Sequence, residues 1–152
     1  MFERKLSRKV KKAIEEFFKK TTFEVKVEVE EPIDSSMPVL IEAEEPQTLI
    51  GDNGRTLFEL QNLLNKFLRK KLKEEFYIDL DINDYKKKKL EYLKDVARSY
   101  ADEVAFSKQE KMLKPMSAYE RRIIHLELQE RSDIKTESIG AEPDRKIVIK
   151  PA

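Results

Sequence analysis

From Thr22 to Glu31 the chain reads TFEVKVEVEE, with Phe23, Val25, Val27 and Val29 in one phase and charged or polar residues in the other. Successive side chains of an extended strand point to opposite faces, so a strict period of two means a strand with one face buried and one face wet. The run Pro32 to Pro38, PIDSSMP, is rich in turn residues. The segment after it, PVLIEAEE, reads as a second strand paired back on the first. A chain with this pattern must build a sheet, and the rest of the sequence supplies helices to cover it.

Leu6, Val10, Ile14, Phe17 and Phe18 recur at helical spacing, with lysines and arginines opposite them. Pro46 to Gly54 breaks the periodicity. From Arg55 it returns, and Leu57, Leu60, Leu63, Leu64, Phe67, Leu68 and Leu72 form a broad apolar stripe. Phe76 to Ile82 alternates again as a third strand. Asp84 is placed to cap a long helix opening at Tyr85, with Leu90, Leu93, Val96, Ala97, Tyr100 and Val104 facing inward. Ser117-Ala118-Tyr119-Glu120 has capping-box spacing and opens a further helix through Ile123, Ile124 and Leu128. Two short strands are expected near Ile134 to Ile139 and Lys146 to Lys150. The whole reads as an α+β fold in two small domains, 1–82 and 83–152, with helices packed on a short sheet in the second.

The absence of cysteine excludes disulfides, thiolate zinc sites and cysteine nucleophiles. No segment has signal-peptide character or membrane-spanning length, so a cytoplasmic protein without a membrane partner is expected. Net charge is +1, and a polyanion would have to be held by local patches. Residues 1–82 hold 15 basic and 17 acidic side chains while 83–152 hold 16 and 13, which puts the positive side in the second half.

Two motifs carry chemistry. Leu49-Ile50-Gly51-Asp52-Asn53-Gly54-Arg55-Thr56-Leu57 is a Gly-x-x-Gly turn feeding a helix. Glycines permit a sharp turn and close backbone approach, and the free N–H groups of a helix start favour anions. Such a clamp can hold a sugar-phosphate chain while bases lie on an apolar groove beside Ile50 and Leu57. Alternatively the turn simply opens the helix. Asp52 would repel a phosphate by ~1 kcal/mol, and Arg55 could offset it. In the second motif Arg121 and His125 lie four apart on one helical face, with Arg122 about a hundred degrees around the axis. A guanidinium fork beside an imidazole suits a phosphate. The lone histidine could equally be a structural hydrogen-bonder.

In its order αββααβ, and in the run Leu49-Ile50-Gly51-x-x-Gly54-x-Thr56-Leu57-x-x-Leu60-Gln61-x-Leu63, the first half resembles a type II KH domain. The second half carries Pro115-Met116, Tyr119-Glu120-Arg121-Arg122-Ile123-Ile124-His125 and Glu142-Pro143-Asp144-Arg145 before Ile147-Val148-Ile149. It is similar to the Arg-x-x-x-His domain of the Jag, or SpoIIIJ-associated (KhpB), proteins, which join these two domains in this order. The separate N-terminal domain of longer members is expected to be missing. The resemblance implies non-catalytic binding of single-stranded RNA, or single-stranded DNA, in post-transcriptional regulation. The implied contacts are Ile50, Gly51, Asp52, Asn53, Gly54 and Arg55 in one domain, and Arg121, Arg122, His125 and Arg145 in the other. It also allows a KH-domain protein partner or a homodimer. No cofactor, metal or catalytic residue is expected, since Asp79 and Asp81 alternate on a strand without a partner motif. A protein-protein adaptor with a weakened, acidic loop is the alternative. Lys86 to Lys89, and the basic side of the first helix (Arg4, Lys5, Arg8, Lys9, Lys11, Lys12), read as solvated faces. The lysines could alternatively touch phosphate, and the first helix an anionic membrane.

Overall fold

The computed structural model describes residues 2–152, with side chains from Arg4 onward. The chain divides into two compact units, one ending at Lys86 and one running from Lys87 to Ala152.

In the first unit, α1 (Phe2–Lys19) is followed by β1 (Val25–Val29), β2 (Ser36–Ala43), the short α2 (Pro46–Ile50), α3 (Arg55–Leu72) and β3 (Tyr77–Ile82). The sheet order is β1-β2-β3. β1 and β2 pair antiparallel from Val25↔Ala43 to Val29↔Val39. β2 and β3 pair parallel from Ser36↔Tyr77 to Ile41↔Ile82, so α2 and α3 form the crossover between them. Val27, Met37, Val39, Ile41, Ile78, Leu80 and Ile82 line the covered face. Val10, Ala13, Ile14 and Phe18 of α1 and Leu57, Leu64 and Leu68 of α3 close it.

Several elements depart from the sequence reading. β1 starts at Val25, because Thr21 Oγ1 accepts the Phe23 amide at 3.2 Å and holds that residue in a turn. β2 starts earlier than expected, at Ser36, after a tight turn with Asp34 at φ 56°. The stretch 46–50 is a one-turn helix with Pro46 at its start, where a missing N–H is harmless. Leu63, placed on the apolar stripe, is 53% exposed; the stripe winds past it at 100° per residue.

Asp84 is not the cap of the long helix α4 (Tyr85–Ser107). Asn83 and Asp84 both have positive φ, and the Lys86 amide is accepted by Asp81 Oδ1 at 3.0 Å. The same carboxylate oxygen accepts the amide of Ile82 at 2.9 Å. Asn83 ties this turn to the end of β2, its carboxamide accepting from the Ala43 amide at 2.8 Å and donating to the Ala43 carbonyl at 3.0 Å.

The second unit takes in most of α4, then β4 (Lys111–Met112), α5 (Ala118–Leu128), β5 (Ile134–Ile139) and β6 (Lys146–Pro151). Its sheet runs β4-β6-β5, both pairings antiparallel. Leu93, Ala97, Ala101 and Val104 recur at three- and four-residue steps along α4 and pack with Ile124, Leu128, Ile134, Ile147 and Ile149. The capping box forms as its spacing predicts, with Ser117 Oγ accepting the Glu120 amide at 3.2 Å and Glu120 accepting the Ser117 amide at 3.1 Å. The two-residue strand β4 is not expected from periodicity.

Candidate nucleic-acid interface

Arg121, Arg122, His125 and Arg145 come together in the second unit, around a shallow depression of about 440 Å³ that Leu126, Gln129, Thr136 and Ser138 also line. α5 supplies Arg121, Arg122 and His125 from one side, with Gln129 just past its end, and β5 supplies Thr136 and Ser138 from the other. The four sequence-derived residues have different environments.

Arg121 is buried, with its side chain 8% exposed. Its Nη1 donates to the Met116 carbonyl at 2.6 Å and its Nη2 to Glu142 Oε1 at 2.9 Å. The fork binds the protein's own chain on two sides. One turn of helix places Arg121 against the loop before β6, so of the two residues expected to face a ligand Arg121 presents little outward, at the edge of the depression. Arg122, next along the helix, is exposed and has no ion pair among the described residues. Arg145 is tethered by its guanidinium to the Gly140 carbonyl at 2.7 Å and the Ser138 carbonyl at 3.4 Å. This orients the cation without neutralising it.

His125 bridges α5 to β5: Nδ1 lies 2.7 Å from Thr136 Oγ1 and Nε2 lies 2.9 Å from Ser138 Oγ. Burial, and secondly the positive Arg121 nearby, push its pKa below the ordinary 6.5. The ring is thus neutral near pH 7 and brings hydrogen bonding rather than charge. Because the folded imidazole holds its proton less tightly than an unfolded one, the unfolded chain takes up more protons on acidification. Stability is therefore full above the ordinary imidazole pKa and falls as the pH drops through and below it. Unfolding followed by circular dichroism between pH ~7.5 and ~5.5, about one unit either side of that value, should show this loss. It should flatten in His125→Gln, which can still give and take a hydrogen bond.

Gln129, Thr136 and Ser138 were missed from the sequence. Gln129 was within reach, four residues beyond His125 on the same face. Thr136 and Ser138 share a strand face by alternation, but only the packing of α5 on β5 marks them.

The residues of the first motif form a loop in the first unit. Ile50 is half-buried against the core, and Leu57, at 2% exposure, lies within it. The apolar groove expected beside Ile50 and Leu57 is therefore not open to a base. Gly51 has φ 74° and Gly54 φ 79°, which side-chain-bearing residues adopt only with strain. The space a Cβ would take is filled by Thr56 at Gly51 and by Tyr85 at Gly54. The close approach these glycines permit is thus by the protein's own side chains. The Gly51 amide donates to the Gln47 carbonyl at 2.8 Å, and the Arg55 amide to that of Asp52. Asp52 and Asn53 are exposed, while Arg55 leans toward Glu59 at 3.5 Å.

One open groove in this unit lies between α3 and the edge of β3. It measures about 500 Å³ and is lined by Asn62, Lys66, Arg69 and Tyr77 among others. The Arg69 guanidinium sits over the Tyr77 ring at 4.4 Å. Asn65 Oδ1 accepts the Ile78 amide at 2.7 Å and Gln61 Oε1 the Leu80 amide at 3.0 Å. These two amides of the edge strand are consequently satisfied from within the fold. Lys86 reaches back to Gln61 and Asp79 at 2.9 and 2.7 Å, which gives the first of the four lysines a structural use. Asp79 and Asp81 serve this pair and the helix start. Among the described residues no group of three or more His, Asp or Glu is placed to hold a metal ion, and no helix is long and apolar enough to cross a membrane.

Residues 91–151 match the domain family named for its Arg-x-x-x-His motif. A protein of Clostridium symbiosum is 33% identical over 137 residues, 90% of this chain and 62% of that protein. One of Lactiplantibacillus plantarum is 35% identical over 101 residues, 66% of this chain and 31% of its own length. A third, from Bacillus subtilis, is 34% identical over 111 residues, 72% of this chain and 53% of its own. All three bear the name RNA-binding protein KhpB. The chain thus spans between about a third and two thirds of the length of these relatives. The match to the Arg-x-x-x-His domain family thus covers most of the second unit.

Proposed function

We propose that this chain is a non-catalytic RNA-binding protein that holds single-stranded RNA by its phosphate chain, with weak sequence preference. The observation that carries the reading is the convergence of Arg122, Arg145 and the neutral His125 on one depression. Two cations there stand beside the hydroxyls of Thr136 and Ser138 and the amide of Gln129. Guanidinium groups suit phosphate oxygens, and hydroxyl and amide groups can reach sugar or base edges. We read the first unit as a type II-like KH domain, on its order of elements and its parallel β2–β3 pairing. The names of the relatives favour RNA over DNA. A regulatory role, and association with a second KH-domain protein, follow from the same reading.

Anisotropy titrations of labelled single-stranded RNA at ~50 and ~200 mM salt test it, since phosphate contacts weaken steeply with salt. Arg122→Ala with Arg145→Ala should lower affinity at least about tenfold and reduce the salt slope by about 1.4, the share of two phosphate contacts on a single strand. Asp52→Lys should strengthen binding severalfold if the loop meets the backbone, and an unchanged value would remove the loop from the interface. The exposed Asp52 and the internally used loop amides favour a second reading, a protein-docking module. Failure of the wild-type chain to bind RNA at low salt would decide for it.

A further inference from the structure

We propose that the outer face of α1 is an additional RNA contact, in which Lys5, Arg8, Lys9 and Lys12 meet the phosphate chain; this rests on the RNA-binding reading. Positions 5, 8, 9 and 12 are spaced by three, four and seven and form one stripe on the helix. With Arg4 these residues line a shallow surface depression of about 630 Å³, and among the described residues no acidic one lines it.

The pairs that touch the stripe are weak. Arg4 lies 3.4 Å from Glu31 with both side chains largely exposed, and Lys9 is 4.0 Å from Glu74. Exposed pairs of this kind contribute little and exchange readily for another anion. Among the described residues no carboxylate forms an ion pair with Lys5, Arg8 or Lys12; Lys12 acts on Glu16 only through its field. Like charges three or four apart on a helix destabilise it slightly, and a bound polyanion would relieve that repulsion.

The distribution of charge points the same way. Residues 1–82 are acidic in sum, yet seven of their fifteen basic side chains lie within α1. The depression along the uncovered side of the sheet is lined by Glu15, Glu28, Glu42, Asp81 and Asp84 against Lys11 and Lys26. A polyanion meets favourable potential on the α1 side and repulsion on the sheet side. An anionic membrane is a poorer occupant. Surface-lying helices bury their apolar face in lipid, and Val10, Ala13, Ile14 and Phe18 are already sealed in the core.

The test compares the wild-type chain with Lys5→Gln/Arg8→Gln/Lys12→Gln and with a control of equal charge loss, Lys20→Gln/Lys70→Gln/Lys114→Gln. All six positions are exposed, so both variants should fold. Each protein is titrated with labelled single-stranded RNA across a salt series and with vesicles containing phosphatidylglycerol. The stripe variant should bind RNA about tenfold more weakly at low salt, with a salt slope smaller by about 2, as expected for three lost phosphate contacts. The control should move by less than half of that. Equal behaviour of stripe variant and control overturns the inference and leaves the RNA-binding reading standing. So does a stripe variant that loses vesicle binding while keeping its RNA affinity. A wild-type chain that binds no RNA overturns both.

Discussion

Replacing Arg121 by alanine is expected to lower the stability of the second unit by about 2–3 kcal/mol, before any effect on a ligand is considered. The guanidinium joins α5 to the carbonyl of Met116 ahead of the helix and to Glu142 ahead of β6. Its removal leaves a carbonyl without a charged donor and opens a gap where an 8%-exposed side chain had packed. The figure is below that of a fully buried pair because Glu142 is 60% exposed and regains water. Hydrogen exchange at Ile124 and Val148, whose side chains are buried in this unit, should accelerate, while Leu64 and Leu80 in the first unit keep their protection. Arg122→Ala, one residue away and exposed, should stay within about 0.5 kcal/mol of wild type and lose affinity only. If Arg121→Ala proved as stable as wild type yet failed to bind RNA, the guanidinium would be a ligand contact and its structural assignment would be wrong.

Gly51→Ala should be comparably damaging to the first unit, at about 3 kcal/mol. At φ 74° and ψ −174° the backbone occupies a region open essentially to glycine alone. The added Cβ would also overlap Thr56 Oγ1, lying 2.7 Å from the Thr56 Cβ and 3.0 Å from its amide nitrogen. Thermal unfolding of Gly51→Ala, Thr56→Ala and the double variant separates the two causes. Removing the threonine hydroxyl should recover a minority of the loss, since the Cβ and amide contacts and the dihedral strain persist. Full recovery would mean that the conformation itself carries no strain. A loss of RNA binding in a glycine variant is consequently no evidence for a phosphate clamp, and Asp52→Lys is the cleaner probe of the loop.

The long helices and most of the strands were legible in the residues, whereas the one-turn α2 was not. The stripes of α1 and α3, the alternation of β1 and β3 and the Ser117–Glu120 capping box each reflect a local rule. β4 was not legible: two residues have no period, and Lys111 and Met112 are extended because they pair with Ile149 and Val148. Ala101, fully buried, lies four residues beyond Ala97 on the same face of α4 and was within reach of the same helical spacing. The cap of α4 was misplaced. Asp81 and Asp84 are both suitable acceptors, and the sharp turn at Asn83 decided which of them faced the Lys86 amide.

The candidate site divides in the same way. Sequence alone determined that Arg121 and His125 share a helical face, that two glycines bracket Asp52 and Asn53, and that the basic residues of α1 lie opposite its apolar ones. Those are consequences of 3.6 residues per turn and of which residues tolerate positive φ, and they need no partner. Tertiary structure decided that Arg121 turns into the protein while Arg122 faces water, and that His125 spends both ring nitrogens on Thr136 and Ser138. It also decided that the space beside the glycines belongs to Thr56 and Tyr85. Periodicity reports the direction of a side chain relative to its own helix or strand; what it meets there depends on how distant segments pack and register, which no local rule contains.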